Sequence, residues 1–144
     1  MDVSELRKRI LRAIDDARKD AADRRTVVDE AAKAYQQFLE TIAVPLLRQA
    51  AIVLNAAGHG FVVHTPAASA RLAAETSPET YLEIELDASG AEPTVVGRVS
   101  ITRGRRGLIL EERPIAAHKS VSALTEDDLS AFLVTEVPKL VVKP

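Results

Sequence analysis

The sequence predicts an α+β domain in which a long N-terminal (coiled-coil-like) helix precedes a five-stranded antiparallel β-meander, with a C-terminal helix packed on the sheet. Three observations carry that expectation. Residues 3–57 contain no glycine and one proline, five short alternating segments bounded by turn residues follow Gly60, and a capping signal at Thr125 opens a final apolar-striped segment. A chain of 144 residues is enough for one domain with a real core and short for two, so residues 1–144 are read as a single unit.

Ala, Leu, Arg, Lys and Glu dominate residues 3–57, which favours helix. Ser4 stands where an N-cap belongs. At the other end Asn55-Ala56-Ala57-Gly58 reads as a helix C-terminus with Gly58 free to turn left-handed. Pro45 is the interruption, either kinking the helix or opening a second one at Leu46. Ile10, Ile14, Ala17, Ala21, Arg24, Val28, Ala31, Tyr35, Phe38 and Ile42 follow alternating steps of three and four, a heptad seam that is apolar except at Arg24. That arginine either snorkels to the rim or selects a register. Beyond Pro45 the apolar surface formed by Leu46, Leu47, Ala50, Ile52, Val53, Leu54 and Ala57 is too wide for a two-helix seam. The expected division is thus a protruding heptad helix over 3–44 and a segment 45–57 packed on the body. Acid-first pairs four residues apart, such as Glu5 before Arg9, suit an exposed outer face. Residues 10–42 would extend about 50 Å, more than a small sheet covers. Either the helix folds back between Asp20 and Arg25, or it meets another chain.

Strands are expected over 61–65, 68–75, 81–87, 94–103 and 106–113, together a meander spanning 61–113. Closing the hairpins by their turn residues sets Val63 by Ala70, Leu72 by Ile84, Leu82 by Val99, and Val99 in turn by Leu110, all on one apolar face. The opposite face then carries Arg71 beside Glu85, and Glu83 beside Arg98, which faces Glu111: a solvated ladder of charges. A loop leads to the C-terminal helix over 125–142, where Thr125 and Asp128 form a capping-box-like start and Pro138 bends or ends the helix.

Net charge is −2 and evenly spread, and aromatic residues make up 3% of the chain, so composition gives no argument for nucleic acid or an anionic membrane. Cysteine is absent, which removes thiolate chemistry and disulfides. No stretch is expected to span a bilayer, and the N-terminus lacks the apolar core of a leader, so a cytoplasmic location is expected. His59, His64 and His118 show no ligand spacing, and neither a nucleophile elbow nor a phosphate loop is present. No catalytic residue, metal or cofactor is therefore expected.

The functional expectation is a non-enzymatic, self-associating interaction or adaptor module. It would dimerise through the heptad helix, or bind a partner helix, with the pairing direction open. The alternative is nucleic-acid or phosphate-ligand binding through an arginine-rich hairpin tip, using Arg98, Arg103, Arg105, Arg106 and Arg113.

Overall fold

The computed structural model describes residues 2–102 and 107–142. Helix α1 (Val3–Phe38) passes through a π-helical turn (Leu39–Ala43) into α2 (Val44–Ala56). Strands β1 (Phe61–His64), β2 (Ser69–Ala74), β3 (Tyr81–Asp87), β4 (Thr94–Thr102) and β5 (Leu108–Pro114) follow, then a 3-10 turn (Val121–Ala123) and helix α3 (Glu126–Val141). The strands form one open antiparallel sheet in sequence order. Helices α2 and α3 share its apolar face, α2 over β1 and β2, α3 over β3 and β4. The fold is α+β, with the long N-terminal helix, the meander and the C-terminal helix in the expected places.

The first helix is capped by Asp2, whose carboxylate accepts from the Ser4 amide at 3.3 Å, rather than by Ser4 itself. It does not fold back between Asp20 and Arg25. Pro45 does not interrupt the run: it stands in the first turn of α2, which opens at Val44 rather than Leu46, and the wider π turn immediately before supplies room for a ring that would otherwise strike the carbonyl one turn back. The C-terminus is a Schellman closure: Gly58 takes φ 88°, its amide reaches Asn55 O at 3.1 Å, and the His59 amide reaches Leu54 O at 2.8 Å. Asn55 then fixes the start of the sheet. Its amide group exchanges two hydrogen bonds with the Phe61 backbone, at 3.1 and 2.8 Å.

The boundary between packed and protruding helix differs from the expectation. Tyr35, Phe38 and Leu39 are buried, and Ala31 and Ile42 pack against the same core as Leu47, Ala51 and Leu54. The body therefore begins at about Ala31, not at Pro45. A helix face that meets a sheet and one that meets another helix have the same spacing, so periodicity alone did not separate them. The bilayer expectation also needs correcting. One window of the helix Val3–Ala56, with mean hydropathy 1.3, is long and apolar enough by composition to cross a membrane. A third of it (33%) is buried inside the protein.

Register follows the expected faces at three hairpins. Leu82 pairs with Val99 and Ile84 with Gly97 as anticipated, while β1–β2 and β2–β3 are displaced by two residues, which preserves the face: Val63 meets Leu72, and Ala70 meets Ile84. The fourth hairpin slips by one. Val99 opposes Glu111 and Gly97 opposes Arg113, so Leu108 and Leu110 point outward, 56% and 59% exposed, and Arg113 points to the helix layer. The cause lies outside the strand pair. In the expected register Glu112 would stand opposite Gly97, facing the buried carboxylate of Glu136; in the observed one Arg113 stands there and pairs with it.

Candidate interaction surface on the N-terminal helix

Two charged clusters lie on opposite faces of the sheet, and each carries its own counter-charges. On the outer face Glu83, 5% exposed, receives Arg71 Nε at 2.6 Å and lies 3.8 Å from Arg98, which also pairs with Glu85 and approaches Glu112 at 3.8 Å. Arg71 additionally stacks over Tyr81, 4.0 Å from the ring centroid. The expected neighbours Arg71–Glu85 and Arg98–Glu111 are replaced by Arg71–Glu83 and Arg98–Glu112, a consequence of the two displaced registers. This lattice of alternating charge leaves no cation unpaired for an anionic ligand.

On the inner face Arg113 Nε lies 2.5 Å from Glu136 Oε1, and its guanidinium covers the Phe132 ring at 4.4 Å. Lys139 Nζ approaches Glu136 Oε2 at 2.9 Å and Glu111 at 3.4 Å. Burial pushes the Glu136 carboxyl up, but hydrogen bonds from Lys139 and Arg113 and the charges of both outweigh it and hold the group below its usual value. A carboxylate whose folded value is depressed adds stability that is present above its unfolded value, near 4.5, and lost as pH falls through the folded value. Glu136→Gln is expected to cost about 1–3 kcal/mol at pH 7, discounted toward the lower end because Arg113 and Lys139 are nearly half exposed. Urea midpoints of the two proteins should converge between pH 7 and pH 3; a constant gap would show that the charge of Glu136 contributes nothing.

Arg98 and Arg113 thus stand on opposite faces, each held by carboxylates, and do not converge on a common ligand. The other arginines of the expected tip, Arg103, Arg105 and Arg106, lie outside the described residues. Among the described residues no group of histidines and carboxylates has a metal-binding arrangement. A hollow between the β1–β2 end of the sheet and α3 is lined by His59, Thr76, Ser77, Thr80 and Lys139. The Lys139 ammonium is already shared between Glu136 and Glu111.

What remains open is the helix before Ala31. Every residue from Asp2 to Glu30 is exposed except Ala21, which is half-buried. Along it Val3 (79%), Leu6 (45%), Ile10 (50%), Leu11 (51%), Ile14 (42%), Val27 (46%) and Val28 (37%) show their side chains to solvent. Together with Ala17 and Ala21 they make one stripe, about 39 Å long from residue 3 to residue 28 at 1.5 Å per residue. Ala21, Arg24, Arg25 and Val28 surround a shallow hollow of the i, i+3, i+4, i+7 form that receives a knob from a facing helix. Of the ten expected seam residues, Ile10, Ile14, Ala17, Arg24 and Val28 are exposed and Ala21 is half-buried, whereas Ala31, Tyr35, Phe38 and Ile42 belong to the chain's own core. Leu6, Leu11 and Val27 extend the apolar area beyond the heptad positions, a widening that a strict three-four count passes over. No family model matches the chain, and neither a curated protein nor a solved structure does.

Proposed function

We propose that the chain is a non-enzymatic, self-associating interaction module that dimerises through the N-terminal helix. One observation carries the reading: an apolar stripe on α1, from Val3 to Val28, extends clear of the body with its large side chains 37–79% exposed. A continuous apolar patch of this length is rare on a protein that works alone, and its heptad spacing suits a helix as the covering element. The charged clusters on the sheet support the same reading by default, since their arginines are already paired.

Analytical ultracentrifugation at micromolar concentration tests it. The wild type is expected to sediment as a dimer or larger, and Ile10→Asp/Ile14→Asp as a monomer whose body retains its unfolding midpoint. A charge at the centre of a seam costs several kcal/mol of association unless it is paired. A wild type that is monomeric at full helicity would end this reading.

A further inference from the structure

Given that self-association, on which this inference rests, we propose that the two helices pair antiparallel, with Ile10 of one copy level with Ala21 of the second copy and Ile14 level with Ala17. Three features of α1 lead to this arrangement.

The first is where the stripe ends. From Ala31 onward the same face of the helix is covered by the chain's own sheet and 3-10 turn, through Tyr35 and Phe38, while the helix itself runs on unbroken to Ala56. A second copy lying parallel and in register would carry its own residues 31–56 along that face, into space the body fills. An antiparallel copy instead sets the capped start of its helix, at Val3, beside Val28, one turn short of the body.

The second is side-chain size. Ile10 and Ile14 lie in one half of the stripe, Ala17 and Ala21 in the other. Parallel pairing would stack isoleucine on isoleucine and then alanine on alanine, demanding two different interaxial distances within two heptads. Antiparallel pairing puts one isoleucine against one alanine in every central layer, so a single close distance serves throughout.

The third is the flanking residues. In this register Leu6 lies beside Val27 and Leu11 beside Arg18 of the second copy, while Ala13 neighbours Asp20, and like charges do not meet on either flank. Sliding by one heptad toward the body would bring Arg18 against Arg18 and Asp20 against Asp20 at the symmetry axis, each repulsive, and sliding the other way would shorten the overlap to residues 3–21 and set Ile10 against Ile14. The parallel alternative has two flank attractions of its own, Asp20 with Arg25 and Leu6 with Leu11, but an exposed ion pair contributes about 0.2–1 kcal/mol and neither contact removes the collision with the body. Arg7 and Arg24 face one another near each end of the antiparallel pair, where both guanidinium groups reach water; the parallel pair has arginine layers too, so they do not discriminate.

The absence of cysteine makes the test direct, because each variant then carries one thiol. Ile10→Cys and Ala21→Cys are prepared separately and oxidised alone and as a re-equilibrated mixture. A second pair, Val3→Cys and Val28→Cys, serves if either of the first impairs folding. The expected result is a disulfide-linked dimer only in the mixture. Two copies of Ile10→Cys would hold their thiols about 16 Å apart, eleven residues along the axis, beyond the reach of a disulfide. Cross-linking of each variant alone would overturn the antiparallel direction, and a dimer that links in no combination would overturn this register. A wild type that sediments as a monomer overturns the self-association reading itself, which the ultracentrifuge reports independently of the thiols.

Discussion

Phe132→Ala is expected to lower stability by about 3–5 kcal/mol, read from urea unfolding. The ring is 1% exposed and rests on Gly97 at the middle of β4. The fit is close enough that a Cβ built on Gly97 would stand 2.1 Å from Phe132 Cζ, so the glycine is there for the ring. Over the ring's face the Arg113 guanidinium stacks and holds Glu136. Removing the ring therefore opens a cavity and loosens the cation that keeps a buried carboxylate paired. Gly97→Ala should cost about 1–3 kcal/mol by overpacking. Because the added methyl would occupy the vacated space, the double variant should be less damaged than the two losses added together. Strict additivity would mean that the ring and the glycine do not share this space.

Tyr35→Ala should likewise cost about 3–5 kcal/mol, and Tyr35→Phe about 1–3 kcal/mol. The phenol, 3% exposed, donates to Ala68 O at 2.7 Å and is 3.3 Å from Ile84 O, tying the long helix to the β2–β3 end of the sheet. Ala68 itself is in the left-handed region, at φ 57°, in the turn where the Ser69 amide reaches Pro66 O. Burial first, and then the charges of Glu85 and Glu83, raise the phenol above its ordinary value of 10.0, so it stays a neutral donor in the folded protein. The unfolded chain ionises at about pH 10 and the folded one does not. Stability from this group is complete below that pH and declines as pH rises above it. Tyr35→Phe should remove that alkaline component; unfolding midpoints of the two proteins that run parallel from pH 8 to pH 11 would refute it.

Much of this architecture is legible in residues whose partners are close in sequence. The capping box at Thr125 and Asp128 closes as read, with bonds of 2.9 and 3.2 Å. Gly58 turns left-handed, and β3 runs over the expected residues 81–87. The misreadings share a cause. Arg113 turns inward because Phe132 and Glu136 wait on a helix twenty residues later, a partner that hairpin arithmetic does not contain. Tyr35 and Phe38 sit in a seam by spacing and in a core by position, since a heptad states that a face is covered and not by what. The candidate surface was visible as that same heptad; its true end at about Ala31 required knowing where the sheet lies.

The π turn at Leu39–Ala43 has a meaning beyond accommodating Pro45. One residue more in a regular helix does not lengthen the rod so much as rotate everything beyond it, by about 100° for a helix of 3.6 residues per turn; the wider π turn takes that residue up. Core contacts before the turn (Tyr35, Phe38) and after it (Leu47, Ala51, Leu54) meet the same sheet because it is taken up. The azimuth at which the free stripe faces, and hence the direction in which any second copy seated on it would aim its own sheet, is set by one peptide unit. An assembly built on this arm would be re-aimed, without being dismantled, by one residue deleted from the regular helix between Val28 and Ala31, whereas a deletion inside the π turn restores ordinary α geometry and leaves the azimuth nearly unchanged.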